Sequence, residues 1–510
     1  MERELKLELV EGKVDQLRGL PLLKSLRTER PHSEHLVSTY FDTPDLYLHC
    51  HHVSLRVRKT GNHHAQTLKT QGSTRAGLYE RDEFEAPIEG EAPDLDVLRS
   101  VVPKGSVAGK LIGGGQLVGR LVPVFTTNVQ RTVSLLRLPQ GDEVELALDD
   151  GTVQADNANA AFQEVEMELK AGEPGHLYDL ALGLLDAVPL RISRRSKGER
   201  GYALIASEQL EVVRAQPLEL NKRDTVERAF QCIAQNCMEQ IQGNERNVIS
   251  GEDPSSVHQM RVGLRRLRSA MDLMGAAVVC PTFLQEELKW IAGELGGARD
   301  WEVLATSTLS DAFSGEPEEV DAEAVKQAAS EIAREKHQRA AQAVDSVRYT
   351  RLIIELSRWL EQAGWRQNPN DEQRRVLEFP LRKFATKTLR ERHRKVIRRG
   401  RGLADLDAQR RHRARIAAKK LRYATEFFAS LYPRQGVRRY KAWLTKLQDD
   451  LGWRNDVVVA DGLLRQLQSG RPETGISAGY ARGYLAACVA ADHDALRALW
   501  KHFKRLSLPQ

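Results

Sequence analysis

The sequence predicts an α+β chain in two parts: a closed barrel of antiparallel strands with flanking helices, then an all-α region built from two duplicated half-bundles. Three observations predict this. Short runs alternating apolar and charged residues fill positions 1 to about 205. Long Ala-, Leu-, Arg- and Glu-rich helical patterns replace them from about Asp224. The charge balance reverses at the same place: residues 1–200 hold 25 Lys/Arg against 30 Asp/Glu, and residues 201–510 hold 51 against 40. At 510 residues the chain is also too long for one hydrophobic core.

Composition narrows the class further. A hydrophobic fraction of 41% with 29% charged residues excludes disorder as the main state. No apolar run reaches the ~18–20 residues of a membrane span, and the opening Met-Glu-Arg-Glu-Leu-Lys has no cationic-then-apolar export signal. Cys50, Cys232, Cys237, Cys280 and Cys488 are scattered and never form a C-x-x-C pair. This argues against a disulfide framework or a structural zinc site and predicts a reducing, cytoplasmic setting.

In order along the chain, strands are expected at Glu2–Glu8, Ser54–Arg58, Arg81–Glu83, Glu143–Leu148 and Glu164–Leu169, with a helix over about Glu173–Ala187. The barrel domain takes residues 1–205 and a linker around Pro217 takes 206–221. The helical domain over 222–505 divides at Gln367-Asn368-Pro369-Asn370 into half-bundles 222–366 and 371–505. Those halves repeat. His258 is followed by Arg261, Arg265, Arg266 and Arg268; His412 is followed at the same intervals by Arg415, Lys419, Lys420 and Arg422. Leu295-Gly296…Asp300 has its counterpart in Leu451-Gly452…Asp456.

Residues two apart in a strand share a face. Glu2, Glu4, Lys6 and Glu8 therefore project together, as do Glu164, Glu166 and Glu168, Arg56 and Arg58, Arg81 and Glu83, and Glu145 and Asp149. The intervening residues, such as Leu5, Leu7, Val57, Leu146, Val165 and Met167, are apolar. A barrel with an apolar, helix-covered exterior and a charged interior requires this pattern on many strands at once. Carboxylates supply hard oxygen ligands for Mg²⁺ or Mn²⁺, and Arg and Lys neutralise phosphate oxygens. A P-loop and a G-x-S-x-G elbow are both absent.

Glu2-Arg3-Glu4-Leu5-Lys6 resembles the E-x-E-x-K signature of CYTH domains, the triphosphate tunnel metalloenzymes. Tyr40-Phe41-Asp42-Thr43-Pro44, Leu55-Arg56-Val57-Arg58, Leu68-Lys69, Arg81 with Glu83, Arg131, Leu146-Ala147-Leu148-Asp149, the 164–168 strand and Ser196-Lys197 follow in order. The resemblance implies an eight-stranded antiparallel β tunnel that cleaves triphosphates with a divalent metal. It implies a catalytic set of Glu2, Glu4, Lys6, Arg56, Arg58, Lys69, Arg81, Glu83, Arg131, Glu145 and Lys197. The implied metal ligands are Glu2, Glu4, Asp149 and members of Glu164, Glu166 and Glu168; which two of the last three touch the metal is open. His49, His51, His52, His63 and His64 flank strands and read as solvated or capping residues, and Asp42-Thr43-Pro44 reads as a rim turn.

On a helical wheel, His258, Arg261, Arg265 and Arg268 form a cationic stripe beside the apolar stripe of Met260, Leu264, Leu267 and Met271. Residues 381–422 hold 17 Lys/Arg and 3 Asp/Glu, so an anionic partner is expected to screen them. Aromatic residues do not interleave the basic stretches, which disfavours nucleic acid. The duplicated pattern resembles the CHAD domain, a helical polyphosphate-binding module. The resemblance implies polyphosphate contacts at His258, Arg261, Arg265, Arg266, Arg268, His412, Arg415, Lys419, Lys420 and Arg422.

A CYTH domain followed by a CHAD domain is similar to the bacterial inorganic triphosphatases. The expectation is hydrolysis of tripolyphosphate to pyrophosphate and phosphate with Mg²⁺ (or Mn²⁺), beside a module for long-chain inorganic polyphosphate. The setting would be the cytoplasm or polyphosphate granules, away from membranes. The rival expectations are an organic triphosphate hydrolase, an adenylate cyclase, or a non-catalytic polyphosphate-binding or granule-targeting protein.

Overall fold

In the N-terminal strands the apolar and charged residues take opposite faces, and both faces are buried. In β1 (Glu2–Leu9), Leu5 and Leu7 are fully enclosed while Glu4 and Lys6 are each only 4% exposed. An open sheet with one wet face would leave the charged side in water, so β1 needs an apolar cover outside and a polar enclosure inside. The computed structural model describes residues 2–9, 13–70, 72–75, 78–156, 158–206, 210–313, 315 and 317–509, without the side chains of residues 2, 73–75 and 276.

Ten further strands complete one antiparallel sheet: β2 (His32–Asp42), β3 (Val53–Thr60), β4 (His63–Thr70), β5 (Ser73–Arg75), β6 (Leu78–Arg81), β7 (Glu83–Ile88), β8 (Val122–Arg137), β9 (Glu143–Ala155), β10 (Ala158–Ala171) and β11 (Leu190–Ile192). Their order is β5-β6-β1-β10-β9-β8-β2-β3-β4-β7, with β11 on β1. The sheet closes through residues 78–88: β6 pairs with β1 and β7 with β4, separated by Asp82. Counted as one interrupted strand, β6 and β7 make an eight-stranded wall among the described residues, as the resemblance implies. The short β5 and β11 are additions to it.

The chain forms two compact units. Unit 1 comprises Met1–Leu210 and Asp345–Gly364. Its helices are α1 (Val14–Arg18), α2 (Pro21–Leu26), α3 (Tyr47–Cys50), α4 (Leu95–Val101), α5 (Val107–Gly113), α6 (Gly175–Ala187) and α7 (Lys197–Ile205). Helices α3, α4 and α5 cover the outer faces of β3 and β4, where Leu48, Leu55, Leu68, Leu98 and Ile112 form one core. Helix α7 is held by a Ser196–Glu199 capping box and packs Tyr202 against Tyr40, Phe125 and Phe162. Gly201 permits that approach, because a Cβ there would lie 2.1 Å from the Phe125 ring.

Unit 2 comprises Glu211–Val344 and Trp365–Gln510. It carries α8 (Val226–Gln242), α9 (Glu245–Ser250), α10 (Ser255–Met274), α11 (Thr282–Val303), α12 (Leu309–Ala312) and α13 (Ala322–Val344). The next helix, α14 (Val347–Glu361), packs in unit 1, although the sequence pattern is helical throughout this region. Unit 2 resumes with α15 (Asp371–Leu377), α16 (Leu381–Arg399), α17 (Ala408–Phe427), α18 (Arg434–Gly470), α19 (Gly475–Ala491) and α20 (His493–Phe503). The repeated His words lie on α10 and α17, and the repeated Leu-Gly words on α11 and α18. Gly263 on α10 lets that helix close on α8, where a Cβ would come within 2.8 Å of Ile241. Among the described residues no helix is long and apolar enough to cross a membrane.

Candidate functional site

The inner wall of the unit 1 barrel surrounds a cavity of about 540 Å³. Its position follows from strand register. Cross-strand partners share a face, so Arg131 opposite Asp149, Asp149 opposite Glu164, and Lys6 opposite Glu166 bring four strands' charges inward. Arg56, Arg58, Lys69, Arg81 and Glu83 reach the same cavity from β3, β4, β6 and β7.

Glu166 lines this cavity, and behind it Asp149 and Glu164 are buried so that the three each offer a carboxylate oxygen within 4.8 Å of the others. All three are buried. Lys197, the first residue of α7, points its ammonium into them, 2.8 Å from Asp149 and 2.9 Å from Glu166, and also meets Glu164. Arg131 grips Asp149 with two nitrogens at 2.8 and 2.7 Å and also bonds Glu166. Lys6 joins Glu166 to Glu4, and Arg81 closes on Glu4 from β6. Taking this many ions out of water costs about several kcal/mol each unless they neutralise one another.

The field they create splits the carboxylates. Burial raises the Glu164 carboxyl, and its cationic neighbours only partly offset that. Burial would also raise Glu166 and Asp149, but Lys197 with Lys6 and Arg131 pulls Glu166 well below the carboxylate range, and Lys197 with Arg131 lowers Asp149. On the opposite wall burial, then Arg56 and Arg81, depress the Lys69 ammonium to about 8. Burial, then Arg56 and Arg131, bring Arg58 down to about 10. Burial and neighbouring cations thus outweigh the carboxylates near Lys69 and Arg58, and an anion in the cavity would supply further negative charge.

These residues fit a divalent cation. The donors are hard carboxylate oxygens, and Glu164 Oε2 is buried without a hydrogen bond. Of the three acids, Glu164 and Glu166 cluster with Asp149, while Glu166 and Glu168 line the cavity. Glu168 lies further along β10, opposite Glu145, with Lys170 2.7 Å from Glu168 and 3.5 Å from Glu145. Glu4 lines the cavity with Lys6 and Arg81, and the side chain of Glu2 lies outside the described residues. Tyr40, from the Tyr40–Pro44 motif, also lines the cavity, together with Glu85 and Lys170, which the sequence reading does not single out. The period of two would have reached Glu85 from Glu83 and Lys170 from Glu168.

The flanking residues are structural. Asp42 is fully buried and accepts from the backbone of Thr43, Leu48 and His49 and from the Tyr202 hydroxyl. His49 stacks on Tyr202, and His51 caps the carbonyl of Tyr47 at 2.7 Å.

Unit 2 gathers a second charged site where α10 meets α17. Burial, then Arg415, Arg265 and Arg261, push the Lys419 ammonium down to about 7. Burial, then Arg299, Arg265 and Arg261, lower His258 to about 4. Asp300 binds Arg261 at 2.9 Å and Asp456 lies 3.8 Å from Arg415, so the repeated Asp residues orient the repeated Arg residues. His412 bonds Asn455 at 2.8 Å.

Other residues of the two His words diverge. Arg266 is corrected out of the ligand set: it is buried, donates to Asn236 and Gln240 at 2.8 and 2.9 Å, and stacks over Phe427. Its place off the cationic stripe puts it against α8. Lys420 is tied to Asp272 at 2.7 Å and Arg422 lies 3.7 Å from Glu426, while Arg268 is exposed.

Comparison with known proteins identifies both domains. Residues 1–202 match the CYTH domain family and residues 232–465 match the CHAD domain family. A curated relative, the inorganic triphosphatase of Haemophilus influenzae, is 33% identical over 175 residues, which is 34% of this chain and 47% of the relative. The chain therefore spans about half the length of that relative. The crystal structure of the CHAD domain from the plant Ricinus communis is 40% identical with a TM-score of 0.52, covering 59% of this chain and 99% of that one. The charged barrel and the duplicated cationic bundle are thus a CYTH domain followed by a CHAD domain on one chain.

Proposed function

We propose that the barrel hydrolyses an inorganic triphosphate, taking tripolyphosphate and water to pyrophosphate and phosphate with Mg²⁺ or Mn²⁺. The observation that carries this reading is the buried acidic trio of Asp149, Glu164 and Glu166, of which Glu166 opens on a cavity also lined by Arg56, Arg58, Lys69 and Arg131. A divalent cation held by the three carboxylates would neutralise charge on the phosphate chain and acidify a water. Arg131, Arg56 and Arg58 bind the non-bridging oxygens. Lys6 and Arg81 hold Glu4 at the cavity wall. Because the charges are fixed before substrate arrives, little reorganisation is needed as negative charge develops.

The lining favours an inorganic substrate. Among the described residues it is mostly charged, with Tyr40 as its aromatic member, and gives a nucleobase or thiazole no apolar shelf. Phosphate release from tripolyphosphate, ATP and thiamine triphosphate, with and without Mg²⁺, tests the reading. Tripolyphosphate is expected to turn over fastest and only with metal; ATP turning over as fast would overturn the assignment.

For the helical unit we infer binding of long-chain polyphosphate along Arg261, Arg265, Arg415 and Lys419, where burial and the neighbouring guanidiniums lower Arg415 and Lys419 and favour screening by an anion. Replacing all four by Ala should abolish retention on immobilised polyphosphate. Undiminished retention would place the ligand elsewhere.

A further inference from the structure

Residues 345–364 lie inside the stretch that matches the CHAD family, yet they pack in unit 1 with the barrel. Helix α14 runs antiparallel to α6 and is fastened along its length. Gln362 donates to the Gly175 carbonyl and to Asp179, Arg358 lies 3.4 Å from Asp179, and Arg351 donates to Asp186 at 2.6 Å. The fit is close: a Cβ on Gly175 would lie 2.8 Å from Gln362.

Just ahead of α14, the Asp345 carboxylate receives two arginines. Arg191 lies 2.9 Å from one oxygen and Arg194 lies 3.4 Å from the other. The segment between and beyond these arginines leads directly to the acidic cluster. Arg191 sits in β11 opposite Glu8 of β1; the Ser193 amide donates to the Lys6 carbonyl, and the Tyr79 hydroxyl donates to the Ser193 carbonyl. Ser196 then caps α7, and Lys197 turns into Asp149, Glu164 and Glu166. Lys197 is itself a cation in that cluster, so its exact reach decides how much negative charge remains for a metal.

We propose that Asp345 is a positioning residue of the barrel: with α14 behind it, it fixes the 191–196 segment from which Lys197 enters the acidic cluster, and so sets how firmly Asp149, Glu164 and Glu166 hold a divalent cation. This rests on the barrel being the hydrolytic centre. Releasing Asp345 loosens Lys197, which strengthens bare metal binding and weakens the ordered site that turns over phosphate.

The test uses the full-length protein, with Mn²⁺ binding measured by calorimetry without substrate, and phosphate release from tripolyphosphate measured separately. Asp345→Asn should tighten Mn²⁺ binding about threefold and lower kcat about fivefold, with Asp345→Glu close to wild type. Lys197→Met should shift Mn²⁺ binding in the same direction, and the double variant Asp345→Asn/Lys197→Met should go no further than Lys197→Met alone. Wild-type binding and turnover in Asp345→Asn, or effects that add to those of Lys197→Met, would overturn the proposal. If Asp345→Asn does not fold, Arg191→Gln probes the same ion pair with the same expectations. Glu166→Gln separates the two levels: if it still releases phosphate, the hydrolytic reading of the barrel fails. If it is inactive while Asp345→Asn behaves as wild type, only the positioning role fails.

Discussion

At the residue scale the barrel works by holding opposite charges in fixed proximity, so single charges should matter disproportionately. Glu166 accepts from Lys6, Arg131 and Lys197 and belongs to the acidic trio. Glu166→Gln keeps its shape but removes the anion, and about a hundredfold loss of tripolyphosphate turnover is expected in a phosphate-release assay. Lys69 gives a pH signature. Its pKa of about 8 in the free protein means that the charge available to meet phosphate is lost as pH rises through that value. KM for tripolyphosphate should therefore climb above about pH 8, and Lys69→Arg should move the rise to higher pH. The inward acids and bases were legible from sequence because the strand period is two, so alternation alone assigns a face. Arg266 was not legible, because a wheel places it off the cationic stripe without showing that α8 supplies Asn236 and Gln240 to bury it. Residue spacing also could not show that Glu164 lies opposite Asp149 and Glu168 opposite Glu145, since all three glutamates share one face and only register against β9 distinguishes them.

At the element scale, closure of the barrel and the packing of α7 depend on local devices that carry little sequence signal. The break at Asp82 lets one strand serve both β1 and β4, but a single polar residue in an alternating run does not announce it. Helix α14 reads like its neighbours in helical period, and its membership of unit 1 comes from long-range partners on α6. The close approach of α7 is more exposed to test. Gly201→Val places a side chain against Phe125 and should destabilise the folded protein by about 1–3 kcal/mol, seen as a lower urea midpoint in chemical denaturation. An unchanged midpoint would mean that α7 can withdraw without cost.

At the scale of the whole molecule, the reversal of charge along the sequence corresponds to two different treatments of charge. The first unit encloses nearly balanced acids and bases; the second presents an excess of cations. Their salt responses should differ accordingly. Retention of long polyphosphate by the second unit should fall steeply with ionic strength, and replacing Arg261, Arg265, Arg415 and Lys419 should reduce the slope of log K against log salt by about 3. A slope that survives the four replacements would contradict the assignment of that surface.

The central claim is that a divalent cation joins the three buried carboxylates to a phosphate chain inside the barrel. Anomalous diffraction from crystals grown with Mn²⁺ and tripolyphosphate measures this directly. The account predicts a manganese peak about 2 Å from oxygens of Asp149, Glu164 and Glu166, with phosphate density on Arg56, Arg58 and Arg131. Manganese and phosphate bound only outside the barrel would contradict it.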